Sequence, residues 1–161
     1  MQKKEDFLKT INNQKSMKKF IAWLVPPLYS VRSDFSVLLL RVIFGTLMLV
    51  HGWGKFHMML SGDIQFADPI GLGETPSLYL SVFAELFCAG FVMIGLCTRL
   101  ACIPLMITML VAIFIVHGSD PLEKKELAIL YLAAFYVIYL LGPGRLSLDQ
   151  QLFNTRIDSN K

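Results

Sequence analysis

The stretch FSVLLLRVIFGTLMLVHGWGKF, Phe35 to Phe56, decides the fold. Between Phe35 and Val50 its only ionisable residue is Arg41, and a helix rising about 1.5 Å per residue crosses about 30 Å of hydrocarbon in a run of this kind. It reads as a membrane span. An arginine at mid-span costs about 2.5 to 3.5 kcal/mol on insertion scales, so Arg41 is expected to face protein or water and to have a partner. Glu85, Asp34 and Asp149 are the candidate partners.

Spacing along this helix groups its polar residues. Arg41, Gly45, Met48, Gly52 and Lys55 fall at i, i+4, i+7, i+11 and i+14, one stripe, with His51 one turn before Lys55 and beside it. The plain reading is that Gly45 and Gly52 permit close helix packing, Lys55 snorkels to the interface and His51 caps the span. Arg41 lies too far inside for easy snorkelling.

Composition sets the class. Hydrophobic residues make up 55% of the 161 and charged residues 17%, with a mean hydropathy of +0.57, concentrated in long runs as in an integral membrane protein. The net charge of +3 does not point to nucleic acid, because Lys3, Lys4, Lys9, Lys15, Lys18, Lys19 and Arg32 all precede the first span. Cys88, Cys97 and Cys102 have no metal-ligand spacing and form no C-x-x-C, so they read as small apolar residues and no metal site is expected.

In chain order, residues 1–16 form a polar tail expected to be mobile. Residues 17–34 contain MKKFIAWLVPPLY and read as an amphipathic interfacial segment that is retained rather than cleaved. Four spans follow, at about 35–56, 76–96, 99–117 and 121–141. Thr75-Pro76 is expected to cap and open the second, Thr98 to cap the third, and Asp120-Pro121-Leu122-Glu123 to act as a capping box for the fourth. Gly142-Pro143 ends it, and 150–161 is a tail. The expected fold is all-α, an integral membrane four-helix bundle over 35–149. Lys and Arg collect before the first span, at Arg99 and in the tail, while the 57–74 loop has none, so both termini are expected to be cytoplasmic.

Counting residues from the outer helix ends puts His51 and Glu85 within a turn of each other, with Arg41 about 15 Å lower. A His51/Glu85/Lys55 cluster is therefore expected, with Arg41 reached from below. Intramembrane ionisable groups are by default candidates for proton or ligand sites; the plain alternative is a protonated Glu85 that only joins helices. His117 and Glu126 read as solvated loop ends. A bis-histidine haem is disfavoured by a depth mismatch of about 9 Å between His51 and His117.

The chain resembles the DoxX-like membrane proteins. The resemblance rests on LLLRVIFGTLMLVHGWGKF, on AELFCAGFVMIGLCTRLACIPL with Glu85 and its G-L-x-T-R turn, and on ELAILYLAAFYVIYLLGPGRLSLD, together about residues 35–149. It implies a four-helix, multi-pass protein of the bacterial inner membrane, with relatives among subunits of thiosulfate:quinone oxidoreductases and of membrane redox complexes linked to thiol and superoxide detoxification. Motif positions carried over are Arg41, His51, Gly52, Lys55, Glu85, Arg99, Gly142, Gly144, Arg145 and Asp149. On the redox reading His51 and Glu85 exchange protons, Arg41 and Lys55 bind ligand, and the ligand or substrate is a quinone. No resident cofactor is evident, so such a chain is an oxidoreductase subunit, not a complete enzyme, and needs a redox partner. The second class is an assembly or anchoring subunit or a small-solute conduit, and self-association stays open in both.

Overall fold

The computed structural model describes residues 31–152, with side chains from Asp34 onward. The tail at 1–16, nearly all of the interfacial segment at 17–34 and the end of the chain from 153 lie outside the described residues. Among those described there are helices and turns and no strand. The long helices are α1 (Val31–Ser61), α2 (Glu74–Ile94), α3 (Thr98–Val116) and α4 (Leu122–Leu141).

Three of them, over Asp34–Ser61, Glu74–Ile94 and Thr98–Val116, are long and apolar enough to cross a membrane. α4 opens on Glu123, Lys124, Lys125 and Glu126, so its uncharged run begins only at Leu127, shorter than the roughly 20 residues that a span needs. Exposed apolar side chains such as Leu39, Leu47, Phe87, Ile107, Phe114 and Leu140 clothe the outside. That is the inverse of a water-soluble surface and the expected one for contact with lipid.

The helix ends depart from the sequence expectations for local reasons. α1 passes through Gly52 and Gly54 and stops at Ser61, before Gly62 with φ 75°. α2 begins at Glu74, with Gly73 at φ 101° in the N-cap position, so Thr75 is not the cap. The Asp68 carboxylate accepts from Leu72 N (2.9 Å), Gly73 N (2.8 Å) and Ser77 Oγ (3.1 Å), which ties the loop to the helix start. Desolvation pushes this carboxyl up, but the bonds from Gly73, Ser77 and Leu72 outweigh it and hold it below the usual range. Pro121 is the extended N-cap of α4, and Asp120 binds His117 and Lys124 instead of forming a capping box.

α1 and α2 cross with their backbones nearly touching. A Cβ on Gly52 would lie 2.6 Å from the Glu85 carbonyl carbon, and one on Gly45 would lie 3.0 Å from Met93 Cβ. The buried core between the helices contains Met48, Ala89, Val92, Cys102, Leu105, Phe135 and Ile138.

The end of the bundle that holds Arg41 is a polar knot. α2 finishes in a Schellman turn: Leu96 N donates to Phe91 O (2.9 Å), Gly95 N donates to Val92 O (3.2 Å), and Gly95 takes φ 77°. Gly95 is required twice over, because a Cβ there would also lie 2.5 Å from Arg41 Nη2. Asp149 then caps α3 from a distance, accepting from Cys97 N (2.7 Å), Thr98 N (2.9 Å) and Thr98 Oγ1 (3.0 Å). Thr98 thus donates its hydroxyl to the cap and is not the cap itself. Asp34 accepts from Arg145 N (3.2 Å), and Arg99 donates to Leu140 O (3.4 Å) near the end of α4.

Candidate functional site: a polar pocket between four helices

Two runs of helical spacing converge on one pocket. Met48, His51 and Lys55 come from α1 at i, i+3 and i+7, and Lys124, Leu127, Ala128 and Tyr131 come from α4 at i, i+3, i+4 and i+7. Glu85 of α2, Met109 and Ala112 of α3, and His117 complete the lining around a volume of about 160 Å³. A cavity of about 150 Å³ accepts one benzene ring, so this pocket has room for a single ring and not for a porphyrin.

Glu85 reaches the pocket from a widened stretch of α2. Phe83–Cys88 is π-helical, with Ala89 N–H returning to Ala84 O, and such a turn shifts side chains out of the ordinary α-register. A second π-helical stretch, Ala112–Val116, ends α3 beside the same pocket, with His117 N donating to Ala112 O at 2.9 Å. Both wide turns therefore border the site.

Lys55 Nζ donates to Glu85 Oε1 at 2.5 Å. The Glu85 side chain is 4% exposed and that of Lys55 28%, so the pair runs from the interior to the pocket mouth. The second carboxylate oxygen, Oε2, is buried and has no hydrogen-bond partner among the described residues. Phe66, from the loop after α1, holds its ring centroid 5.4 Å from Lys55 Nζ and covers the ammonium.

The expected cluster is brought together with one change in its pairing. Lys55, and not His51, bonds Glu85; His51 instead meets Tyr131 edge-on, ring centroids 5.9 Å apart and planes at 90°. Tyr131 also stacks on Phe135 at 6.1 Å, is 4% exposed, and lies within electrostatic reach of Glu85. At the mouth His117 Nδ1 is 2.9 Å from Asp120 Oδ2, and Lys124 Nζ is 3.6 Å from Asp120 Oδ1. The His117 bond holds the Asp120 carboxyl below its usual range against a smaller upward push from burial, and Lys124 adds to the lowering. His51 and His117 both line this pocket, although the residue count placed them at different depths.

Arg41 does not belong to the pocket. It is 1% exposed, and its partners are backbone carbonyls rather than Glu85, Asp34 or Asp149: Nε donates to Val92 O (3.0 Å), Nη2 to Met93 O (3.3 Å), and Nη1 to Pro143 O and to Leu146 O (3.3 Å). Asp149 acts on it only through space. Gly142, Gly144, Arg145, Arg99 and Asp149 lie at this same end and serve the knot around it. Tyr131 and Lys124 escaped the sequence reading as site residues. The signal was the i, i+3, i+4, i+7 stripe in KKELAILY, which matches the one noticed on α1.

A helical bundle with an apolar exterior and a polar pocket walled by buried ionisable groups is a membrane protein with a candidate small-ligand site. This chain belongs to the DoxX family: the DoxX family model matches residues 36–118. It is 35% identical over 130 residues, 79% of this chain and 94% of the other, to a Bacillus subtilis (strain 168) protein named "Putative oxidoreductase CatD". No solved structure matches it.

Proposed function

We propose that this protein is a small, multi-pass subunit of a redox complex in the bacterial inner membrane, and that the pocket between Lys55, Glu85, His51 and Tyr131 binds a quinone-type ring. The observation that carries the proposal is the Lys55–Glu85 pair, 2.5 Å apart and set into a pocket of single-ring size. A salt bridge that served only to join helices would not need an open volume beside it. Lys55 or His51 supplies a hydrogen bond to a ring oxygen, and Glu85 or His51 exchanges the proton that accompanies reduction or oxidation. The oxidoreductase name of the Bacillus subtilis relative supports this class. Because the sequence has no ligand set for haem, flavin, iron–sulfur or copper, a partner subunit is part of the proposal.

Glu85→Gln and His51→Gln separate this reading from an assembly, anchoring or conduit role. In the assembled complex each is expected to lower quinone-linked activity at least tenfold while the helical fold is retained. Full activity in both variants, with only melting or subunit association altered, would end the redox reading.

The proposed arrangement has four crossings, α4 completing its own with its charged first turn at the interface, and both termini cytoplasmic. Cys97 is the exposed native thiol, whereas Cys88 and Cys102 are buried. An impermeant maleimide is expected to label Cys97 only after the membrane is opened, and to label Gln65→Cys in the loop after α1 from the outside. The reverse pattern would invert the orientation.

A further inference from the structure

Glu85 Oε2 is the one buried side-chain oxygen or nitrogen among the described residues that lacks a hydrogen-bond partner. Its sister oxygen is taken by the Lys55 ammonium at 2.5 Å. A carboxylate bonded to an ammonium can only accept hydrogen bonds. A buried acceptor without a donor is costly, and the cost is relieved if whatever enters the pocket brings one.

This requirement discriminates between ring ligands. The two oxygens of a quinone are both acceptors, so one placed beside Oε2 sets lone pair against lone pair. The reduced ring carries O–H groups and donates. We propose that the pocket is built for a hydroxyl-bearing ring, a hydroquinone or phenol whose O–H donates to Glu85 Oε2, and that it binds the corresponding quinone more weakly.

The remaining lining suits such a ring. Met48 and Met109 offer thioethers to its face, and His51, set edge-on to Tyr131, bounds one side. The Tyr131 hydroxyl makes no hydrogen bond to another described residue, which leaves it to serve the second ring oxygen. Lys55 holds Oε1 at 2.5 Å while the Phe66 ring lies against the ammonium, so the carboxylate stays fixed as the ligand enters. The inference rests on the reading of the pocket as a ring site and adds which oxidation state it prefers.

The test is an anaerobic equilibrium-dialysis titration of the full chain in nanodiscs with 2,6-dimethylhydroquinone, the matching quinone and the matching dimethyl ether. The hydroquinone is expected to bind at least tenfold more tightly than either of the others, a difference of about 1.4 kcal/mol. In Glu85→Gln the amide oxygen can face Lys55 and the amide nitrogen the ring, so the preference is expected to vanish or to invert in favour of the quinone. Equal binding of hydroquinone and quinone, or a quinone preference in the unsubstituted protein, overturns the inference while leaving the ring site standing. Binding of none of the three overturns the ring site with it. If Glu85→Gln fails to fold by circular dichroism, the ranking in the unsubstituted protein decides alone.

Discussion

Gly52→Ala is expected to separate α1 from α2 and to lower the melting temperature of the bundle more than any other single-methyl addition on α1. The new Cβ would stand 2.6 Å from the Glu85 carbonyl carbon, 2.7 Å from its oxygen and 2.7 Å from Leu86 N. All three are backbone atoms of a helix and cannot rotate aside. Carbon atoms sit comfortably at about 3.5 to 4.0 Å, so the helices must part by about 1 Å at the point where Lys55 meets Glu85. Overpacking of this kind costs about 1 to 3 kcal/mol, and the displaced salt bridge puts the expectation at the upper end. Gly54→Ala is the control, because a Cβ there meets nothing within 4 Å. That variant is expected to melt at or slightly above the parent, since alanine is the better helix former. Equal melting of the two variants in the same detergent would show that the helices do not cross so closely.

The same crossing explains what could be read from the sequence and what could not. Length and hydropathy were enough to find the helices, because the bilayer sets the scale. The stripe Arg41, Gly45, Met48, Gly52, Lys55 identified the inward side of α1, because 3.6-residue spacing is local information. Pairing across helices was harder. Glu85 was expected beside His51 and Lys55, but the choice between them depends on side-chain direction and on the π-helical widening of Phe83–Cys88, and neither leaves a mark in residue spacing. Caps supplied from afar were equally hidden. Asp149 caps α3 from about fifty positions along the chain, and Asp68 secures α2 from the preceding loop, so the Thr98 and Thr75 signals named the right junctions with the wrong groups. Gly142, Gly144, Arg145 and Asp149 were legible as motif positions, but not that the segment they belong to offers the Pro143 and Leu146 carbonyls to Arg41.

Arg41→Leu is expected to undo that partnership. The guanidinium binds two carbonyls at the end of α2, Val92 and Met93, and two in the segment after α4, Pro143 and Leu146. Leucine fills part of the volume and supplies no donor. Hydrogen bonds to a charged group contribute about 1.5 to 3 kcal/mol each and do not add fully, so a loss of about 3 to 5 kcal/mol is expected for the set. Val92 O keeps a bond from Gly95 N (3.2 Å), which leaves Pro143 and Leu146 the more exposed to the loss. The segment 143–149 should therefore loosen first and carry Asp149 away from Cys97 N and Thr98 N, leaving the start of α3 uncapped. Hydrogen exchange is expected to rise at Cys97, Thr98 and Asp149 well before the pocket end of the bundle responds. Arg41→Lys should recover only part of the loss, because three donors on one nitrogen cannot span carbonyls that the planar fork reaches from separate nitrogens. Parental melting and unchanged exchange at 97–98 in Arg41→Leu would mean that the carbonyls are satisfied some other way, and the charge buried in α1 would then need a different partner.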